Sequence, residues 1–344
     1  MLPYMALVLQ KDFKNINTIH IQTFEELRRN VPQKNYGLLT DTSNPYRKKM
    51  FTNAEEFYAQ LPYYSIKPLY VEAVDLFYRM GISLPRATVL PSVLSYFLLG
   101  CILLLWVSSF LRLPYAVMSC LLFMLSSPFF TAGALSSPDG MSAVFLLAAF
   151  YFMLKRPMIL PVFIFLLLAV WTRLDNVITA GLFVILWNVD WKKSDKNKLL
   201  ISAGMLLVFA ISYFVINSFA ADLGGKVELY NRFYRFPNMV SDDEKGFSLS
   251  TYIGVLYSRG ISGIYNSNII LAFLFSFLVL ARSGRINFRN PERNQLFVLA
   301  FILIFIVRYL MYPEISDRFY LAFYLAIYVI FLGKYFSRPQ STLG

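Results

Sequence analysis

The sequence predicts an all-α polytopic membrane protein with about nine transmembrane helices, and three observations support this fold class. Hydrophobic residues make up 57% of the chain and charged residues only 15%, whereas about a quarter of the residues in a soluble domain are charged. The mean hydropathy is +0.54, and the apolar residues are gathered into long runs. Many basic residues lie in short loops between these runs, so membrane topology and anionic lipid explain the net charge of +12 better than nucleic acid does. We therefore expect a lipid bilayer as a partner and no nucleic acid.

Nine apolar runs follow one another after Ala87. Several are near or below the usual length of a span, so we expect tilted helices or helices sheltered by their neighbours. Together they define a transmembrane domain over residues 89–338, preceded by a polar region over residues 1–88. The predicted spans are 89–111, 115–135, 140–154, 158–172, 177–190, 199–219, 266–282, 295–312 and 319–336.

The connections between these runs alternate in chemical character. One set is rich in lysine and arginine, and the other is polar and contains acids. Basic residues beside membrane helices mark the cytoplasmic side, so we place the C-terminus in the cytoplasm. The region 1–88 and a long loop over 220–265 then lie outside. We expect the protein in the bacterial inner or plasma membrane.

The region 1–88 contains no run long enough to cross a bilayer. Residues 1–9 are apolar but short of the roughly 20 residues that a span requires, and their pattern predicts no signal peptide. An external region must nevertheless be translocated, so we expect one more transmembrane helix upstream. Residues 61–70 gather aromatic side chains around Lys67, as in segments at a membrane surface. An amphipathic helix is predicted over 71–81.

A hairpin over residues 136–176 is the strongest local pattern. A basic turn joins its two apolar runs, and both open ends contain acids, Asp139 at one end and Asp175, next to Arg173, at the other. Two crossings return both ends to one face, so we expect these three side chains to share one external cavity. Charges at such a position need a partner or a cavity. Simple capping of helix ends at the interface is the alternative.

Three short motifs on the predicted external side resemble a known family. They are YSIKPLY at 64–70, SPDG at 137–140 and TRLDN at 172–176. Their order resembles the polytopic glycosyltransferases of the GT-C class, which take sugars from polyprenyl-phosphate donors, over roughly residues 50–180. The resemblance implies a GT-C-like fold, a lipid-linked sugar donor and an inverting transfer on the external face. It leaves the sugar, the acceptor and the linkage undefined.

The resemblance also implies roles for particular side chains. In that class the catalytic acid lies in the first external loop, which makes Asp12 the first choice and Glu55 and Glu56 the main rivals, with Glu25 and Glu26 as others. A carboxylate deprotonates the acceptor hydroxyl, and positive charge stabilises the departing phosphate. The residues implied in substrate and phosphate binding are Lys67, Tyr70, Asp139, Arg173, Asp175, Arg308 and Arg318. The basic residues among them have a simpler interpretation as side chains that extend their charge to the membrane surface.

The sequence indicates no firm cofactor and no metal ligands. His20 is the only histidine, which leaves little material for a histidine-based metal site. Cys101 and Cys120 both lie in apolar runs, and we assign them neither a disulfide nor a metal. The acidic run at 242–244 keeps a divalent cation among the open alternatives, although such unpatterned runs are usually solvated.

Two other function classes remain open. A transporter or flippase of lipid-linked saccharide would place ionisable residues near helix midpoints and show an internal repeat, and the sequence has neither. A non-catalytic membrane scaffold, derived from a transferase, is consistent with the missing paired-acid signature of the class. We favour the transferase over both.

Overall fold

A computed structural model describes residues 1–156, 158–187, 196–218, 248–283 and 292–336. All regular structure in these ranges is helical, with eighteen α-helices, one short 3-10 helix and no β-strand. The predicted all-α class is therefore confirmed for the described residues.

Seven mostly short helices form the N-terminal region. Three of them begin at an asparagine, because the side-chain oxygens of Asn15, Asn44 and Asn53 accept the first backbone N–H groups. The apolar faces of these helices meet in a core of their own, around Tyr4 and Leu27. The helices are α1 (Leu2–Leu9), α2 (Ile16–Asn30), α3 (Gln33–Leu39), α4 (Pro45–Thr52), α5 (Ala54–Ala59), α6 (Pro62–Ser65) and α7 (Pro68–Arg79).

An ion-pair group joins the end of α1 to α7. Lys11 Nζ donates to Asp75 Oδ2 at 2.9 Å, and Arg79 Nε donates to the same oxygen at 3.1 Å. Burial alone would raise the pKa of the Asp75 carboxyl, but the hydrogen bonds from Lys11 and Arg79 outweigh it and hold that pKa below its ordinary value. Asp75 is therefore ionised at neutral pH and fixes α1 against α7.

Eleven further helices form the rest of the described chain. They are α8 (Leu84–Ser108), α9 (Leu113–Met124), α10 (Ser127–Ala134), α11 (Asp139–Leu154), α12 (Ile159–Thr172), α13 (Asn176–Trp187), α14 (Lys196–Ser218), α15 (Leu249–Tyr265), α16 (Ile269–Arg282), α17 (Arg293–Met311) and α18 (Leu321–Phe336). α11 packs against α8, α12 and α18, and α1 packs against α2, α7 and α8. The rings of Phe150, Phe183, Phe297 and Phe323 lie 4.9–6.4 Å apart and join α11, α13, α17 and α18.

Three helices, α8, α14 and α17, are long and apolar enough to cross a membrane. Two bent pairs raise this number to five if each pair is one broken span: α9 with α10, bent by 66°, and α15 with α16, bent by 78°. Four more helices, α11, α12, α13 and α18, are apolar but shorter. These helices indicate an integral membrane protein, as the composition predicts.

The predicted span 115–135 is a bent pair rather than one helix. Proline within a continuous helix removes a hydrogen bond and clashes with the carbonyl four residues earlier, whereas the first turn of a new helix tolerates it. Pro128 lies in the first turn of α10. The carbonyl of Met124, which a continuous helix would pair with residue 128, instead accepts a hydrogen bond from Tyr96 Oη at 2.8 Å.

The end of the predicted loop 220–265 is helical, which corrects that prediction. α15 begins after Ser248, whose hydroxyl accepts the N–H of Thr251. The apolar residues of α15 alternate with serines, glycines and Arg259, so a search for continuous apolar runs misses it. Gly263 packs against Ile315, and this contact brings α15 close to the segment before α18. The first part of that loop, 219–247, lies outside the described residues.

Candidate functional site

The two ends of the α11–α12 hairpin meet at Arg173, the residue that follows α12. One Nη donates to the Asp139 carboxylate at the start of α11. Nε and the other Nη donate to the two oxygens of Asp175, at 3.1 and 2.9 Å. Such two-pronged pairing combines strength with a defined orientation. The expected proximity of Asp139, Arg173 and Asp175 is observed.

A second arginine reaches the same group from α17. Arg308 Nη2 donates to Oδ2 of Asp175, and its Nη1 donates to the carbonyl oxygen of Phe319 at 3.0 Å. Only 6% of the Arg308 side chain is exposed, whereas 34% of the Asp175 side chain is, so the pair is shielded from solvent mainly on the side of Arg308. Arg308 therefore ties α17 both to the α12–α13 connection and to the segment before α18.

The third arginine, Arg318, is the most exposed of the three. Its Nε lies 3.6 Å from Oδ2 of Asp139, and its side chain is 32% exposed. One Nη donates to Glu314 at 3.3 Å, whereas Nε has no hydrogen-bond partner in the structure. This Nε is itself shielded from solvent and faces Asp139, so the exposed part of Arg318 lies in its other guanidinium nitrogens. Arg308 already uses both of its terminal nitrogens.

One aromatic ring contacts all three guanidiniums. The Cζ atoms of Arg173, Arg318 and Arg308 lie 4.3, 4.9 and 5.4 Å from the centroid of Phe319. Aromatic faces attract guanidinium groups, which stack against the ring. Together, the five side chains form an arginine–aspartate cluster of Asp139, Arg173, Asp175, Arg308 and Arg318.

The cluster contains three guanidiniums and two carboxylates, so its own charge is positive. Glu314 offsets this charge through its pairing with Arg318. Partial burial alone would raise the pKa of the Asp175 carboxyl, but the charges of Arg173 and Arg308 outweigh it and hold that pKa well below its ordinary value. Asp175 is therefore ionised at neutral pH and a weak proton acceptor.

Buried polar side chains fix the connections that form the cluster. Asn176 Nδ2 donates to Oγ of Ser142 at 2.7 Å and to the carbonyl of Ala169 at 2.8 Å, which joins α13 to α11 and α12. Ser92 Oγ donates to the carbonyl of Ser137 at 2.9 Å, which holds the segment before Asp139 against α8.

Tyr70 lies fully buried beside this segment. Its hydroxyl donates to the carbonyl of Thr88 at 2.6 Å, and the ring of Tyr4 packs edge-on at 4.8 Å. The buried hydroxyl makes Tyr70 part of the packing between α1, α7 and α8. It lies close enough to Asp139 for an electrostatic interaction.

Lys67 precedes α7 on the same side of the molecule. Its Nζ donates to the carbonyl of Tyr63 at 3.0 Å and lies 4.7 Å from the ring centroid of Tyr64. It is also near enough to Asp175 for a charge interaction. The structure therefore brings Lys67 and Tyr70 to the end of the bundle that holds the cluster.

The three predicted catalytic acids lie elsewhere. Asp12 is 45% exposed and pairs at 3.5 Å with Arg79. Arg79 is the last residue of α7 and lies roughly 16 Å along the helix axis from the start of α7, which is the end near the cluster. Glu56 pairs with Lys49 at 2.7 Å, and Glu55 is exposed in the first turn of α5. Among the described contacts, none joins these acids to the arginine–aspartate cluster.

Two residues of the site escape prediction from the sequence. Phe319 is one of many phenylalanines, and only the fold brings it against three arginines. Glu314 stands four residues before Arg318, a spacing at which opposite charges often pair, so the sequence does contain a signal for this contact.

The described residues contain no group of three or more His, Cys, Asp or Glu side chains able to hold a metal ion, and the acidic run 242–244 lies outside them.

Comparisons of the chain with protein families, curated proteins and solved structures give no match. What the cluster can do chemically therefore has to follow from its own geometry and charge.

Proposed function

We propose that the protein is a membrane glycosyltransferase, which moves a sugar from a polyprenyl-phosphate-linked donor to an acceptor on the external face with inversion at the anomeric carbon. The observation that best supports this function is the arginine–aspartate cluster. It gathers three guanidiniums at one end of an apolar helix bundle. A lipid-linked phosphate would lie at such a level, and a departing phosphate needs fixed positive charge.

Arg318 is the best candidate to contact the donor phosphate. It is the most exposed arginine of the cluster, and among the described residues its terminal nitrogens make only a 3.3 Å bond to Glu314 while its buried Nε faces Asp139. Arginine forks match phosphate oxygens in shape and charge. Lys67, on the same side of the bundle, supplies a second positive charge. A bound phosphate would replace the attraction between Arg318 and Glu314 with a stronger one.

Arg173 and Arg308 have a positioning role in this proposal. Both are almost fully buried and bonded to Asp175, so they fix the position of Asp175 and the buried side of the site. Their positive charge still acts on a nearby phosphate, because burial lowers the effective dielectric around them. Asp139 orients Arg173 and faces Arg318 across 3.6 Å.

The base remains one of the external carboxylates Asp12, Glu55 and Glu56. A general base must reach the acceptor hydroxyl, directly or through one water, when donor and acceptor are bound. Apo geometry alone does not exclude a candidate. Asp12 and Glu56 are only partly shielded in their ion pairs, so an acceptor could displace their partners.

The proposed topology has nine spans. The three long helices and two bent pairs account for five, and α11, α12, α13 and α18 would supply four more. In this arrangement the arginine–aspartate cluster is external, and the basic connections are cytoplasmic. A bacterial plasma membrane is the proposed location.

The first test is turnover of a polyprenyl-phosphate sugar by the purified protein and its Arg318→Gln variant. Loss of a hydrogen bond to a charged group costs about 1.5–3 kcal/mol, so we expect kcat/KM to fall roughly 10- to 150-fold. Arg318→Lys should recover part of this loss as a point charge. Arg29→Gln is the control, because Arg29 is 68% exposed and its ion pair within the described ranges is with Glu25 of its own helix. Wild-type protein without turnover would contradict the function, and a fully active Arg318→Gln would contradict the site.

The second test concerns the base. Asp12→Asn, Glu55→Gln and Glu56→Gln keep size and most hydrogen bonding but cannot accept the proton. Loss of a general base costs about 10²- to 10⁴-fold in rate, whereas Asp41→Asn, a control at another N-terminal acid, should stay active. Full activity in all three variants would place the base elsewhere.

One observation favours a scaffold as the second candidate. Asp12 and Glu56 are each engaged by a basic residue, and the structure holds no predicted catalytic acid against the cluster. A scaffold would bind a lipid-linked saccharide without turning it over. Binding without turnover by wild-type protein would support this candidate over the transferase.

A further inference from the structure

A cavity of about 600 Å³ opens at the other end of the helix bundle. Its wall combines residues near the ends of α8, α11 and α18 with the first turn of α17. Asp139 begins α11, and Lys155, which follows α11, lines the cavity. A helix rises about 1.5 Å per residue, so the cavity lies roughly 24 Å from Asp139 along α11. This separation approaches the thickness of a bilayer's hydrocarbon core.

The lining is divided into a basic mouth and an apolar interior. Lys155 and Lys334 both line the cavity, and Lys155 is exposed. Trp106, Val329 and Ile330 also line the cavity and are buried, so they form its apolar interior. Small-ligand sites are typically 300–1,000 Å³ with mostly apolar walls and a few polar groups. The cavity therefore suits a molecule with an anionic head and an apolar body.

The two lysines differ in their partners. Lys334 Nζ donates to Glu292 at 2.5 Å, and 53% of the Glu292 side chain is exposed. Lys155 takes part in no ion pair within the described ranges. The mouth of the cavity therefore has an excess of positive charge. Asn294 and Ser109 add uncharged hydrogen-bonding groups beside it.

We propose that this cavity binds the headgroup of an anionic phospholipid, with its phosphate between Lys155 and Lys334 and the start of an acyl chain against Trp106. The charge of the mouth selects an anionic headgroup, and the apolar interior selects a lipid over a soluble phosphate ester. Basic pockets between membrane helices on the cytoplasmic side bind anionic lipids in this way. The site is separate from the arginine–aspartate cluster and does not depend on the proposed sugar transfer.

The test uses Trp106 as a reporter in protein whose other tryptophans, Trp171, Trp187 and Trp191, are changed to phenylalanine. The protein is reconstituted in vesicles that contain phosphatidylglycerol or phosphatidylcholine with brominated acyl chains, which quench tryptophan at contact. We expect stronger quenching by brominated phosphatidylglycerol. Lys155→Gln with Lys334→Gln should reduce the preference for this lipid roughly 30-fold, from the usual contribution of two lysines near a membrane surface.

Two matched variants keep the test independent of folding and of general surface charge. Lys155→Arg with Lys334→Arg retains the charge and should retain the lipid preference. Lys196→Gln with Lys198→Gln removes two lysines at the start of α14, outside the cavity, and should leave quenching of Trp106 unchanged. An equal loss in this second variant would overturn the site.

A soluble competitor separates the two sources of phosphate. Glycerol 3-phosphate should not relieve the quenching by brominated phosphatidylglycerol, because it lacks the acyl chain that fills the apolar interior. Relief at low concentration would mean that the site takes a soluble phosphate ester, and it would overturn the lipid assignment. Equal quenching by both brominated lipids in wild-type protein would overturn it as well.

Discussion

Arg308 offers the sharpest test of the arginine–aspartate cluster as a structural unit. Its guanidinium makes two bonds, to Asp175 and to the carbonyl of Phe319. Arg308→Gln removes both and keeps part of the side-chain volume. Asp175 retains its two-pronged pairing with Arg173, so no carboxylate is left without a partner.

The expected loss of stability follows from the two bonds taken separately. The bond to the partly buried Phe319 carbonyl involves a charged donor, which contributes about 1.5–3 kcal/mol. The Asp175 side chain is 34% exposed, so its pairing with Arg308 contributes nearer to the ~1 kcal/mol of a solvent-screened ion pair. We expect Arg308→Gln to lower the free energy of unfolding by about 2.5–4 kcal/mol.

The measurement is unfolding of the purified protein in detergent, combined with a double-mutant cycle. Asp175→Asn alone should destabilise the protein, and the pair of changes should show a coupling of roughly 0.5–3 kcal/mol. Arg308→Lys should recover less than half of the loss, because an ammonium cannot reproduce the planar fork. Arg293→Gln is the control, since Arg293 is exposed at the other end of α17. A variant at position 308 as stable as the wild type, with no coupling to Asp175, would refute the structural role.

Three further predictions concern other parts of the chain. In a cysteine-free background, Ser43→Cys should react with a membrane-impermeant thiol reagent in intact cells and Arg112→Cys only after permeabilisation; the reverse result would overturn the orientation. Asp75 has a folded-state pKa below its ordinary value of 3.8, so its stabilisation is present above about pH 4 and is lost as the pH falls through the lowered pKa. Asp75→Asn should therefore be less stable at pH 7 and lose less stability on acidification, and parallel acid curves would contradict this. Gly263→Ala places a methyl group 2.5 Å from a neighbouring side chain and should cost about 1–3 kcal/mol, whereas Gly254→Ala on the same helix meets nothing within 4 Å and should not destabilise.

The hairpin is the part of the site that can be predicted from the sequence. Two apolar runs joined by a short turn must return their ends to one place, which brings Asp139 and Arg173 together whatever the rest of the fold. Arg308 can be singled out because it lies within an apolar run, where a charge needs a partner. Its partner, Asp175, is 133 positions away along the chain, and no spacing rule relates them. Only the packing of α17 beside α13 brings the two into contact.

The difference between local sequence patterns and contacts between distant segments also explains which helices can be predicted from the sequence. Continuous apolar runs identify α8, α14 and α17, because hydropathy alone distinguishes them from loops. α15 lacks such a run and depends on its cap at Ser248 and on contacts with distant segments. α1 is too short to predict as a span, yet it is buried from Pro3 to Leu9 because α2, α7 and α8 surround it.

The lengths of the central helices link the two proposed sites. α11, α12 and α18 have 14–16 residues, which is roughly 21–24 Å of helix, whereas a hydrocarbon core is about 30 Å thick. If these helices cross the membrane, the charges at their ends lie at or just below the lipid headgroups, or the bilayer thins around them. A phosphate attached to a polyprenyl chain reaches this depth with its lipid still in the bilayer. The arginine–aspartate cluster at one end and the lysine-lined cavity at the other would then both meet lipid-borne phosphates, each from its own leaflet.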